Sequence, residues 1–158
     1  MADDPLIHPY KLLTTPAGDQ VEIDIEMVPI VELLWQMRFQ TTACCEDVGE
    51  ATRAVRDAKG ITAGYRGEDF IAYYSGWALL KLPLADALRL FDMLACVPSL
   101  APHVQRRWME RSWRMTVPLV RQNGAAALDH DALLHFPASH IPALVQALDA
   151  MSASQTVV

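Results

Sequence analysis

The basic stretch RRWMERSWR, residues 106–114, has the composition best suited to binding an anion. A guanidinium group grips a carboxylate or phosphate with two parallel hydrogen bonds, and tryptophan beside arginine is common where proteins contact partners or stack on bases. The alternative is a surface helix whose tryptophans point into the core while the arginines stay solvated, which is the more frequent use of these side chains. The residues predicted to bind are Arg106, Arg107, Trp108, Arg111 and Trp113.

A second candidate for chemistry is the cysteine pair in TTACCEDVGE, residues 41–50. Neighbouring side chains on a strand point to opposite faces, so one thiol is expected in the core and the other outside it. The three acids that follow raise the pKa of a nearby thiol, whereas a reactive thiol needs a positive neighbourhood. We therefore favour a structural role. The alternative is a cysteine-centred enzyme or redox protein that uses Cys45, assisted by Cys44 or Arg53.

The histidines and glycines form no motif that predicts a metal or a cofactor. The chain has no C-x-x-C, no H-x-x-x-H and no glycine-rich phosphate loop. His130, His135 and His140 are close in sequence, but strand alternation and a helix start separate them. His8 and His103 adjoin prolines and have no partner visible in the sequence. We predict neither a metal site nor a cofactor.

Length and composition predict one globular domain. The chain has 158 residues, of which 52% are hydrophobic and 20% charged, a balance that excludes a disordered protein. Its formal net charge of −6 makes it a poor general binder of nucleic acid, because that affinity comes from basic side chains that displace counterions. The acidic start MADDPLIHPY and the lack of a long apolar segment predict neither a secretory signal nor a membrane span. With three cysteines that form no framework of pairs, we expect a cytoplasmic protein.

Apolar periodicity and turn residues predict an α+β fold. We expect a mostly antiparallel sheet of about five to seven strands, with about three helices packed largely on one face. Residues 1–151 form the single domain and residues 152–158 a flexible C-terminal tail, while residues 46–67 form a mobile rim of the binding site. Hairpins are predicted at residues 10–24 and 70–82, further strands at 39–45, 113–120 and 129–136, and helices at 26–38, 50–59, 84–95, 106–111 and 141–151.

Two strand-then-helix units echo each other. ALLKLP begins at residue 78 and ALLHFP at residue 132, and each leads into an apolar helix. Proline at the end of each unit stops donation to a sheet and turns the chain away from it. Duplication and the shared rules of strand-to-helix connections both explain the echo, and we favour the shared rules because short apolar matches are common.

The block IDIEMVPIVELLWQMRFQTTACCEDVGE, residues 23–50, resembles a group of small α+β proteins of actinobacteria and their phages. In that group a helix with an inner proline leads through a threonine-rich strand into a Cys-Gln or Cys-Glu-Asp turn. The block WALLKLPLADALRLFDML, residues 77–94, is similar to their apolar strand, proline and helix. No activity is attached to the group. Its phage association implies an accessory or counter-defence binding role.

These observations favour a non-enzymatic binding module that recognises a protein partner or a small anionic ligand. The five residues of the basic stretch are the expected contact set, and a homodimer is expected from the apolar content. The cysteine-centred enzyme is the alternative function.

Overall fold

A computed structural model describes residues 8–60, 67–105 and 110–155. These ranges contain eight strands and six α-helices, with short 3-10 turns at Ile25–Met27 and Ala138–His140. In chain order the elements are β1 Tyr10–Thr14, β2 Gln20–Asp24, α1 Val28–Gln36, β3 Ala43–Cys45, α2 Val48–Lys59, α3 Glu68–Tyr74, β4 Trp77–Pro83, α4 Leu84–Leu94, α5 Ala101–Gln105, β5 Arg114–Thr116, β6 Leu119–Gln122, β7 Ala125–Leu128, β8 Asp131–Pro137 and α6 Ile141–Gln155.

Four strands form a central antiparallel sheet in the order β3-β4-β8-β5. The other four form two separate hairpins, β1-β2 and β6-β7. The α+β class and the antiparallel pairing are therefore confirmed, whereas the single sheet that we predicted is divided into three. Proline explains one division: the predicted strand at residues 113–120 breaks at Pro118, which has no N–H to donate to a ladder.

The two echoing segments are β4 and β8, and they lie side by side in the middle of the sheet. Leu80 and Leu134, the third residue of each segment, face each other directly. The two units are therefore related by an approximate local twofold axis between these leucines. Each strand ends at its proline, and α4 follows Pro83 at once while α6 follows Pro137 after one 3-10 turn.

One face of β4 and β8 packs on the hydrophobic core. Alternate residues of both strands are fully buried, as expected when one face of an antiparallel pair is covered. Three helices, α1, α4 and α6, cover this face with apolar residues at helical spacing. The largest fully buried side chains of these helices and strands are Ile30, Leu34, Leu80, Leu82, Leu90, Leu94, Leu134, Phe136 and Leu144.

The prediction of about three helices on one face is wrong, because the described residues contain six and one of them covers the opposite face. The ring of Tyr74 in α3 lies 4.6 Å from the ring of His135. His135 follows the core residue Leu134, so strand alternation directs it away from the core. The second face of the sheet is thus covered by a helix that we predicted as a strand.

The segment FIAYY was predicted as a strand because its aromatic and branched residues favour strands. It forms α3 instead. Glu68 and Asp69 are favourable in its first turn, and the rings of Phe70 and Tyr74, one helical turn apart, are in contact with their centres 4.7 Å apart. Burial of Ile71 docks the helix. Tertiary packing therefore overrides the local preference.

The other elements agree more closely with the sequence patterns. The hairpin of β1 and β2 and the helices α1, α2 and α4 are confirmed. The turn between β6 and β7 contains Asn123 and Gly124, and both have positive φ. Within the described ranges, no helix combines the length and the hydropathy needed to cross a membrane.

Candidate functional site

A pocket of about 590 Å³ opens at one end of the second sheet face, where β4 begins and β8 ends. This volume is within the range of about 300–1,000 Å³ that small-molecule sites occupy. The N–H of Ala138 donates to the carbonyl oxygen of Gly76 at 2.8 Å, which ties the two strand ends together. The lining residues are Ser75, Gly76, Trp77, Glu110, Arg111, Ser112, Arg114, Pro137, Ala138 and Ser139. We call this the arginine pocket.

Arg114 is the most constrained cation of the arginine pocket. Its guanidinium carbon lies 4.3 Å from the ring centre of Tyr73 and 4.0 Å from that of Trp77. Two aromatic rings therefore hold the planar group through cation–π contacts. Its Nη1 atom is buried and has no hydrogen-bond partner among the described residues, although a buried donor normally has one. Arg114 therefore combines a fixed position with an unused donor.

The predicted binding set did not include Arg114, and its five residues fall in three different environments. Arg111 is exposed on the rim of the arginine pocket and has a left-handed backbone with φ of 61°. Trp113 lies in the core, stacked on Phe136 with ring centres 4.5 Å apart, so it supports the fold rather than presenting a binding surface. Arg106, Arg107 and Trp108 lie outside the described residues, as does most of the helix predicted at 106–111.

A histidine pair lies behind the arginine pocket. The rings of His103 and His140 are 4.4 Å apart, and Trp113 donates its indole N–H to Nδ1 of His140 at 3.1 Å. Burial lowers the pKa of His140, and the nearby His103 and Arg111 lower it further. The imidazole of His140 is therefore neutral at pH 7 and accepts the indole hydrogen bond at Nδ1.

A second cluster of polar side chains, which we call the His8 cluster, consists of His8, Asp24 and Cys45. Nδ1 of His8 lies 3.1 Å from Oδ2 of Asp24 and 4.0 Å from Sγ of Cys45. The hairpin brings the first two together, because the segment before β1 reaches the end of β2, where the N–H of Ile25 donates to the carbonyl of Pro9. The end of β3 supplies the thiol.

Sequence reasoning missed His8 and Asp24. His8 was expected at the surface without a partner, yet it is buried against Asp24. Strand pairing could have predicted this contact. A hairpin with its turn at residues 15–19 places Tyr10 opposite Asp24, and this brings His8 near the Asp24 carboxylate. The approach of Cys45 depends on a contact between distant segments that no local pattern reveals.

The two cysteines have different surroundings. Cys44 packs against the core, whereas Cys45 faces His8, as alternation along a strand predicts. Burial, reinforced by the charge of Asp24, raises the pKa of both thiols from 9.0 to about 12. Arg53, the predicted helper, lies 3.4 Å from a carboxylate oxygen of Glu68. This environment keeps Cys45 protonated at neutral pH and does not favour the cysteine-centred enzyme, which stays a prediction.

The raised thiol pKa values predict alkaline sensitivity. The folded protein keeps both thiols protonated above pH 9.0, where the unfolded chain loses these protons. The thiol contribution to the free energy of unfolding is therefore fully present below pH 9 and is lost as the pH rises towards 12. Urea unfolding of the wild type and of a Cys44→Ala/Cys45→Ala variant, compared at about pH 8 and about pH 10.5, measures this loss. The variant should lose less stability than the wild type, and an equal loss in both would contradict the prediction.

No family model, curated protein or solved structure matches this chain. The resemblance to actinobacterial and phage proteins therefore stays a prediction. The geometry of the arginine pocket and of the His8 cluster carries the functional argument.

Proposed function

We propose that this protein is a non-enzymatic binding module for a small anionic ligand, and that the arginine pocket is its binding site. One observation carries the proposal: Arg114 is fixed between Tyr73 and Trp77 with a buried, unpartnered Nη1 at the wall of a pocket. A donor that lacks a partner in a buried place is costly unless a ligand or water satisfies it. A carboxylate or phosphate oxygen is the acceptor that a guanidinium prefers.

The residues that line the pocket limit the classes of ligand that it can bind. Arg111 adds a second guanidinium at the rim, and Ser139 adds an exposed hydroxyl. Glu110 adds an opposing charge, which favours a ligand with one or two negative charges over a polyanion. The faces of Trp77 and Tyr73 are engaged with Arg114, so charge and hydrogen bonds provide the recognition. A nucleoside monophosphate or an aromatic carboxylate has suitable size and charge. Arg106, Arg107 and Trp108 remain part of the proposed contact set.

Replacing Arg114 with glutamine should weaken anion binding about tenfold to a hundredfold, because one charge-assisted hydrogen bond contributes about 1.5–3 kcal/mol. Isothermal titration with adenosine monophosphate, and separately with inorganic phosphate, measures this effect. Native mass spectrometry of protein purified from its host identifies the ligand that the pocket retains.

The matched control is Arg121→Gln. Arg121 is an exposed arginine on β6 that does not line the arginine pocket, so its loss should leave binding unchanged. Undiminished binding by a folded Arg114→Gln protein, or an equal loss in Arg121→Gln, would show that the anion binds elsewhere.

A protein partner is the second candidate, and one observation favours it. Leu119 and Leu128 face each other at the open end of the β6-β7 hairpin, and 73% and 61% of their surfaces are exposed. Both edges of this hairpin lack a further strand among the described residues, and β7 carries no charge. An uncharged free edge pairs readily with its own copy, so a homodimer is the partner we propose. Light scattering should show a dimer that Leu119→Asp converts to a monomer.

A further inference from the structure

Among the described residues, the side chains able to hold a metal ion converge at the His8 cluster. One ligand atom each from His8, Asp24 and Cys45 lies within 4.8 Å of the other two. The donors are an imidazole nitrogen, a carboxylate oxygen and a sulfur, a combination that suits zinc. Calcium and magnesium are disfavoured, because they prefer oxygen ligands only. We propose that His8, Asp24 and Cys45 bind a zinc ion through Nδ1, Oδ2 and Sγ.

The distances are close to those of a zinc site. Zinc bonds of about 2.0–2.3 Å in tetrahedral geometry place neighbouring ligand atoms about 3.3–3.8 Å apart. Nδ1 of His8 is 3.1 Å from Asp24 and 4.0 Å from Cys45, so these two separations must change by only a few tenths of an ångström. The ligand atoms of Asp24 and Cys45 lie within 4.8 Å of each other. The three ligands belong to three segments that the β1-β2 hairpin and β3 hold in place. Three protein ligands leave the fourth position for water or a small ligand.

Two further residues support the three ligands, Glu50 through its carboxylate and Glu46 through its backbone N–H. Metal-bound histidines usually direct their other ring nitrogen at a carboxylate, which fixes the ring and strengthens the ligand. Within the described ranges, Nε2 of His8 is buried without a hydrogen-bond partner, and Oε2 of Glu50 lies 3.6 Å from it. The N–H of Glu46 donates to Oδ2 of Asp24 at 2.9 Å and orients that group. Glu50 and Glu46 also make the local potential negative, which attracts a cation.

The same geometry argues against a cysteine–histidine–aspartate relay. A relay needs the nucleophile and the orienting carboxylate at opposite nitrogens of the imidazole. Sγ of Cys45 and Oδ2 of Asp24 both approach Nδ1 of His8. The three potential ligand atoms therefore form one compact group, as the ligands of a metal ion do.

Zinc binding must displace the thiol proton of Cys45. Zinc binds cysteine as the thiolate, so metal uptake releases this proton to the solvent.

The full chain, freed of metal by chelation and buffer exchange, is titrated with Zn²⁺ against a chromogenic chelator and separately with Co²⁺. We expect one equivalent of each ion, and the cobalt complex should show the intense near-ultraviolet band of a thiolate ligand. Cys45→Ser should abolish this band, whereas Cys96→Ser should retain it because Cys96 is an exposed cysteine after α4. Lack of stoichiometric uptake by the wild type, or a thiolate band that survives Cys45→Ser, would overturn the proposal.

Glu50→Gln keeps the experiment decisive if Cys45→Ser does not fold. The Glu50 side chain is 65% exposed, so this change should leave the stability of the metal-free protein unaltered. It should lower the zinc affinity about tenfold to a hundredfold, the usual effect of losing a carboxylate behind a metal-bound histidine. Unchanged affinity in Glu50→Gln, with the thiolate band present, would place the ion away from His8.

Discussion

Replacing Leu134 with alanine should lower the free energy of unfolding by about 3–5 kcal/mol, the upper half of the range for a buried leucine. Leu134 is fully buried and lies opposite Leu80 at the centre of the sheet. Strands on both sides hold β8 by hydrogen bonds, so the backbone cannot collapse into the cavity that the change creates. Leu80→Ala should have a similar effect. Urea unfolding followed by tryptophan fluorescence measures both.

The control for this prediction is Leu12→Ala on β1, away from the β6-β7 hairpin. Leu12 is 57% exposed, so its truncation should change the free energy of unfolding by less than about 0.5 kcal/mol. Because Leu80 and Leu134 are in the same packed layer, the double variant should differ from the sum of the single variants by at least about 0.5 kcal/mol. If Leu134→Ala lowers the free energy of unfolding by less than about 1 kcal/mol, the assignment of Leu80 and Leu134 to the centre of the core is contradicted.

The elements that form the core could be predicted because their signal is local. In ALLKLP and ALLHFP every second residue is apolar, which gives each strand one apolar face. The helices that follow repeat apolar residues at helical spacing. Proline after each strand marks the change from one period to the other. These patterns give the central strands and the helices α1, α4 and α6, but they do not state which strands are neighbours.

The second sheet face could not be predicted, because it depends on register between distant strands. Cys45 pairs with Leu79, Leu79 with His135, and His135 with Arg114, so these four residues form one row across the four strands. Strand alternation puts the row on the face that α3 covers. The sequence segment that forms this helix has the composition of a strand, and the position of Arg114 between two rings follows only from the helix.

This row places the two candidate sites at opposite ends of one surface. Cys45 of the His8 cluster stands at one end, and Arg114 of the arginine pocket stands at the other. The helix pair of α2 and α3 lies across them, joined by Arg56, which pairs with Glu68 at 2.6 Å. A change in the position of either helix therefore reaches both sites.

Asp47 connects the two sites directly. One carboxylate oxygen accepts the N–H of Glu50 at 3.0 Å and caps α2, which carries the carboxylate beside His8. The other oxygen accepts the N–H of Gly76 at 2.8 Å, in the turn that lines the arginine pocket. A single side chain thus fixes α2 relative to the pocket wall.

Gly49 makes this arrangement possible, and Gly49→Ala should lower the free energy of unfolding by about 2 kcal/mol. A Cβ atom there would lie 2.5 Å from the backbone nitrogen of Ser75 and 2.7 Å from the carbonyl oxygen of Ile71. Backbone atoms cannot rotate away as a side chain does, so α2 must move from the turn. Alanine has a helix propensity about 1 kcal/mol more favourable than that of glycine. The overpacking cost of about 3 kcal/mol is larger than this gain, so the variant is less stable. Thermal and urea unfolding measure the difference.

The same variant tests whether α2 links the two sites. Asp57→Ala, an exposed change in the same helix, should alter stability by less than about 0.5 kcal/mol and leave both ligands bound. Gly49→Ala should weaken zinc and phosphate binding together, because movement of α2 carries Glu50 away from His8 and releases the turn at Gly76. Arg114→Gln and Glu50→Gln should each affect one site alone. If Gly49→Ala folds with wild-type stability, α2 does not rest on this turn, and the two sites are then independent features of one sheet.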